Sequence, residues 1–181
     1  VYVLLNALGA YEYWGVNRNG DAFPEWSLKG SPPPKDVADF LNSDSFKSKF
    51  PNFVVPTGRY GYKTFETDAH VYLLHANKDP LTAIGDVIAA AYNEHMHRVE
   101  LIVFIYEARS KDTVTAIRNQ LPVPWSMGAK LPFDICSVCC NPAKNRGAYC
   151  QHLLTSLNEI LPDGRKVFSY NWFPRFFLGA V

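Results

Sequence analysis

Four cysteines and a histidine crowd one short stretch of this chain: Cys136, Cys139, Cys140, Cys150 and His152. Cys136-x-x-Cys139 is the spacing of a tight thiolate knuckle. Cys150-x-His152, arriving after the loop 140–149, supplies a second ligand pair, and together the four can close a tetrahedron around a zinc ion. Four protein ligands saturate the ion, so the zinc expected here is structural, and binding it would couple the metal to local folding. Cys140 is an extra thiol, either a ligand that swaps in or a free cysteine. A disulfide or unligated thiols are the other readings of this cluster. His95-x-His97, at a hairpin turn, is a weaker metal pair.

A second set could do nucleophilic chemistry. Ser126 lies in an extended segment, Pro124-Trp125-Ser126-Met127-Gly128. His75 closes an apolar strand just before a Pro-containing turn. Glu100 interrupts Arg98-Val99-Glu100-Leu101-Ile102-Val103-Phe104-Ile105, where both alternating sets are otherwise apolar. The pattern predicts a strand covered on both faces. A carboxylate there demands a cationic or donor partner, such as His75 or Arg98. A serine, a histidine and a glutamate form a candidate triad, but such sets are recognised by geometry. A structural Glu100 paired with an arginine, and a hydrogen-bonded core His75, are the plainer readings.

The elements that must position these residues follow from periodicity. Strands are predicted over 1–8, 71–75, 84–92, 98–106 and 167–170, with 84–92 and 98–106 forming a hairpin around Asn93-Glu94-His95. Helices are predicted over 35–41, 111–121 and 151–161, the last burying Leu153, Leu154, Leu157, Ile160 and Leu161. Residues 42–67 read as an irregular segment pinned by aromatics. Strands that do not alternate regularly with long helices predict an α+β fold. The expected fold is an antiparallel or mixed sheet curled toward a barrel, with a few connecting helices and a small zinc-knuckle insertion at 134–153 in a single domain, 1–181.

The 181 residues are 48% hydrophobic and carry a formal net charge of +1. Near-neutral charge argues against a broad nucleic-acid face. No run approaches the roughly 18–20 apolar residues that span a bilayer. Clustered rather than dispersed cysteines point to a reducing compartment. A first residue other than Met and apolar residues at both ends suggest a piece of a longer chain, and no basic region typical of a signal peptide opens it.

The order and spacing of these motifs resemble the prohead (head maturation) proteases of tailed phages, which are distantly similar to herpesvirus assemblins. Gly15-Val16-Asn17-Arg18-Asn19-Gly20-Asp21-Ala22-Phe23 resembles an early segment of that family. His75-Ala76-Asn77-Lys78-Asp79-Pro80 with Ile84-Gly85-Asp86-Val87 resembles its histidine motif. Arg98-Val99-Glu100-Leu101 resembles the strand carrying its acid, and Trp125-Ser126-Met127-Gly128-Ala129 its serine motif. The cysteine cluster and Pro162-Asp163-Gly164-Arg165 resemble features of one subgroup. Two departures stand out: Cys140 replaces a glycine, and no acid follows Phe176-Phe177.

The resemblance implies a serine endopeptidase that cleaves scaffold and capsid-protein pro-segments inside the immature shell, assembled in the host cytoplasm. His75 would be the base, Glu100 its partner and Ser126 the nucleophile, with Met127 and Gly128 N–H groups near the oxyanion. The assemblin likeness offers His152 as an alternative third member, but its position suits a zinc ligand better. The implied partners are the major capsid protein and the scaffold, with homo-oligomerisation left open. A non-enzymatic assembly protein with a structural zinc, or a zinc-binding interaction module, are the competing functions.

Overall fold

The computed structural model describes residues 1–74 and 79–180. The elements begin with β1 (Tyr2–Gly9), α1 (Tyr11–Trp14), β2 (Asp21–Ala22), α2 (Glu25–Lys29), α3 (Lys35–Asn42), α4 (Asp44–Lys49) and α5 (Thr64–Asp68). Next come β3 (His70–Tyr72), β4 (Gly85–Asn93), β5 (Arg98–Ile105), α6 (Lys111–Arg118) and β6 (Ser126–Lys130). The last are β7 (Asp134–Cys136), β8 (Pro142–Ala143), α7 (Gln151–Thr155), β9 (Ser169–Asn171) and β10 (Arg175–Ala180). The protein is α+β, as its sequence predicts. Among the described residues no helix is long and apolar enough to cross a membrane.

A single domain is expected over 1–181; in the structure the chain forms two compact units. Unit 1 comprises Val1–Gly9, Gly61–Lys130 and Arg175–Val181. Its six strands run in the order β1-β5-β4-β3-β10-β6. Every neighbouring pair is antiparallel except β10 and β3, which are parallel. Register shifts at Asn6/Leu8, Val87/Ala89 and Phe176/Leu178 mark bulges that curl the sheet. The β4–β5 hairpin is where alternation predicts it, its turn held by Asn93, whose side-chain oxygen accepts from the His95 and Met96 N–H groups.

Gly85 begins β4 because nothing larger fits: a Cβ there would lie 2.3 Å from the Phe104 carbonyl oxygen. On the covered face Val99, Leu101, Val103 and Ile105 are buried. α5 packs here, Phe65 stacking on Phe176 with ring centroids 4.3 Å apart. Thr64 ties the two elements, its hydroxyl accepting from the Phe176 N–H at 2.8 Å.

Unit 2 comprises Ala10–Tyr60 and Leu131–Pro174. Its four-stranded sheet has the order β2-β9-β7-β8. The core beside it is aromatic: Phe46, Phe50, Phe133, Trp172 and Phe173 are buried, with Trp26, Phe40 and Phe53 against them. The aromatics of segment 42–67 do pin it, and it is largely irregular over 50–63, but helices occupy its two ends. α4 forms because Ser43 caps it, its hydroxyl accepting from the Phe46 N–H at 3.2 Å. α5 follows within the same segment.

The predicted helix 151–161 is also shorter, ending at Thr155. Asn158 at φ +72 turns the chain back, its N–H bonding the Val167 carbonyl at 2.8 Å. Leu153 is therefore buried as expected, whereas Leu154 and Ile160 face solvent.

Candidate functional site

The cysteine cluster folds as its spacing requires. β7 delivers Cys136 into the core at 0% exposure, packed with Leu153 and Val167. The knuckle then turns tightly: the Cys140 N–H bonds the Cys136 carbonyl at 3.0 Å, and the Val138 N–H points at the Cys136 sulfur at 3.4 Å. Cys150 occupies the N-cap of α7 and His152 its first turn, so the helix start aims both at the knuckle.

The ligand atoms of Cys136, Cys139, Cys150 and His152 all lie within 4.8 Å of one another. His152 Nδ1 is 3.9 Å from both the Cys136 and the Cys150 sulfur. A tetrahedral ion with metal–sulfur bonds of about 2.3 Å and a metal–nitrogen bond of about 2.0 Å places such atoms about 3.5–3.8 Å apart. Three thiols, one imidazole and no carboxylate form a donor set that can hold a metal ion.

Cys140 stays outside the ligand group. It is exposed and adopts φ +57, a left-handed conformation that suits glycine. Burial pushes the Cys136 thiol up to about 12. Burial opposes ionisation of Cys150 too, but the Leu153 and His152 N–H groups and the neighbouring thiols hold it below its ordinary value. Thiols gathered this way lose their protons when a cation takes their place.

The serine lies in unit 1. Ser126 is exposed and opens β6, paired with Ala180 of β10, which pairs in turn with Tyr72 of β3. β3 and β10 are parallel and β6 runs against them, so β3 leaves the sheet at the same end where β6 enters it. His75 lies outside the described residues.

Glu100 sits elsewhere, in the plainer role its sequence allows, paired with an arginine near a strand end, although its strand is not covered on both faces as expected. β5 is covered on one face only: Ile102, on the same face as Glu100, is 42% exposed. Glu100 reaches Arg98 at 2.8 Å and the Asn93 amide at 3.1 Å, near the β4–β5 turn. The Arg98 hydrogen bond, aided by Asn93 and by the Arg98 charge, holds its carboxyl below the usual range. Three strands, β4, β3 and β10, separate the strands of Glu100 and Ser126. The described structure thus brings the four candidate metal ligands together and leaves Glu100 apart from Ser126.

A pair that the sequence does not single out lies two rows inside the serine end. His70 Nδ1 is 2.6 Å from Asp86 Oδ1. Tyr106 donates its hydroxyl to the other carboxylate oxygen. The Arg109 guanidinium lies 5.2 Å from the Tyr106 ring centroid and donates to the Ala83 carbonyl. Burial works against the Asp86 charge, but the Tyr106 and His70 hydrogen bonds and the His70 and Arg109 charges hold its carboxyl below the usual range. The one signal in the sequence is an acid set between Gly85 and Val87 in an otherwise apolar strand. Nothing in sequence spacing says that the β3–β4 register places His70 opposite it. No family model matches this chain, and neither a curated protein nor a solved structure does.

Proposed function

We propose that this chain is a serine endopeptidase of phage head maturation, held in shape by one structural zinc ion. The observation that supports it is the shared sheet end: β3, which leads toward His75, departs where Ser126 enters. In this reading the Ser126 hydroxyl attacks the scissile carbonyl to form an acyl-enzyme, and water then releases it. The substrates are scaffold protein and capsid-protein pro-segments within the prohead. Zinc is the ion that best suits three thiolates and an imidazole in a closed tetrahedral set. Its four ligands leave no open position, so it takes no part in the reaction.

The test is co-expression with scaffold and major capsid protein. The wild type cleaves both, and Ser126→Ala leaves them intact. Identical uncleaved bands from the two would refute the protease reading. Elemental analysis should find about one zinc per chain; a folded, metal-free chain would refute the zinc assignment.

A second reading is a non-enzymatic assembly protein on the same fold. It draws on Glu100, whose carboxylate is committed to Arg98 and Asn93. Uncleaved partners that nevertheless co-purify with the chain would favour it.

A further inference from the structure

We propose that unit 2 holds a calcium site, built from Asp134, Asn171 and Ser169 with Asp21 beside them. The site is distinct from the cysteine cluster and owes nothing to the endopeptidase reading. Its donors are all oxygen, which suits a hard cation and not zinc.

The register of the four-stranded sheet gathers these residues. On β9, Ser169 and Asn171 stand two residues apart and share a face. β2 sets Asp21 opposite Ser169, and β7 sets Asp134 opposite Asn171. Paired residues share that face, so two acids flank two polar side chains. Both of the latter are deeply buried, Ser169 at 4% and Asn171 at 2% exposure.

The hydrogen bonds of the four are incomplete. Among the described residues Asn171 Oδ1 has no hydrogen-bond partner, and a buried acceptor is costly to leave so. Ser169 Oγ has none within hydrogen-bond distance either, yet it lies near enough to favour the Asp134 charge. The carboxylates have neutral donors. Asn17 donates to Asp21 Oδ2 at 3.2 Å, and Tyr149 donates its hydroxyl to Asp134 Oδ2 at 2.6 Å. Asp134 Oδ1 has only the Asn171 amide nitrogen, at 3.3 Å, long for an N–H···O bond.

That distance selects the ion. The two ends of a carboxamide are nearly alike in size, so a half-turn of Asn171 sets Oδ1 where Nδ2 lies, facing Asp134 Oδ1. Two acceptors so close repel unless one cation binds both. Oxygens bound at right angles on calcium, each at about 2.3–2.6 Å, lie about 3.3–3.7 Å apart, whereas magnesium at about 2.0–2.1 Å needs about 2.8–3.0 Å. Asp21 is close enough for its charge to bear on Asp134 and on the Tyr149 phenol, so a cation held by Asp134 sits in the field of a second carboxylate. Asp21 and Asp134 are both half-buried, which leaves room for the waters that complete a calcium shell.

The experiment titrates calcium chloride into the purified chain by isothermal titration calorimetry, its zinc content measured beforehand and its folding checked by circular dichroism. The wild type should take one calcium ion with Kd at or below about 1 mM, and magnesium at least ten-fold more weakly. Asp134→Asn and Asp21→Asn should each weaken calcium by at least ten-fold. Asp163→Asn, which removes an acid paired with Arg165 at the surface, should leave it within two-fold.

A wild type that takes up no calcium at several millimolar would overturn the inference. So would calcium binding that Asp134→Asn leaves unchanged, because the ion would then lie elsewhere, and magnesium bound as tightly as calcium would overturn the choice of ion. Where a variant misfolds, wild-type crystals soaked in terbium, which takes calcium sites, decide. Anomalous density between Asp134 and Asn171 supports the site, and density only at other positions refutes it.

Discussion

Stripping the proposed zinc from the chain should cost it a defined part of its stability. The four ligand atoms lie within 4.8 Å of one another, and one of them, Cys136, is wholly buried between Leu153 and Val167. An ion that binds only the folded state adds RT ln(1 + [L]/Kd), about 4.1 kcal/mol at a free concentration a thousand times Kd. For a chain of this size each kcal/mol is worth roughly 2–4 °C, so chelation should lower Tm by about 8–16 °C. The loss should also be local. Amides that close the knuckle, such as Cys140 onto Cys136 and Ser137 onto Phe168, should lose hydrogen-exchange protection first. Those of α4, beside the Phe46 cluster, should keep theirs. Calorimetry with and without a zinc chelator measures the first effect and exchange mass spectrometry the second. A chain shown by elemental analysis to be metal-free, yet melting within about 1 °C of the loaded form, would refute the structural role.

Other perturbations have equally definite outcomes. Cys140→Gly relieves a left-handed non-glycine residue, so it should stabilise the chain by about 1 kcal/mol and leave the metal content unchanged; loss of the ion would make Cys140 a ligand. Phe46→Ala empties the centre of the aromatic cluster and should cost about 3–5 kcal/mol in urea unfolding. Gly20→Ala should cost about 1–2 kcal/mol, because Gly20 sits at φ +84 and a Cβ there would meet Leu157 at 2.7 Å. Burial chiefly, with the Asp21 charge, raises the Asp134 pKa despite the Tyr149 hydrogen bond. Its contribution to stability is therefore full below the unfolded value, about 3.9, and is lost as pH rises through the folded one. Asp134→Asn should flatten the stability–pH curve in that window, and an unchanged slope would show that the titration belongs to another group.

What could be read from sequence was what local chemistry encodes. Cys136, Cys139, Cys150 and His152 declare a ligand set through spacing alone, because a tetrahedral ion accepts few geometries. The β4–β5 hairpin and α3 announce themselves by period. Glu100 misled because Ile102 and Phe104 beside it imitate a doubly covered strand, whereas Ile102 is 42% exposed. α4 escaped because its signal is a cap at Ser43 and a single buried ring, Phe46, rather than a stripe. His70 and Asp86 escaped for a deeper reason: the register that unites them is a property of the folded sheet. The same holds for the placement of β10 between β3 and β6, which no neighbouring residue foretells.

That placement has a kinetic consequence. β3 and β6 share no hydrogen bonds, and β10 is the strand that joins them. The Arg175–Asp68 ion pair bridges 107 residues, so its partners meet only after a long closure whose entropy must be overcome before any contact rewards it. The hairpin can form in microseconds, but Ser126 acquires its row only when residues 175–180 slot in. Refolding followed at Ser126 should lag behind refolding followed at the hairpin. A nascent chain would thus carry its serine unassembled until residues 175–180 had been made.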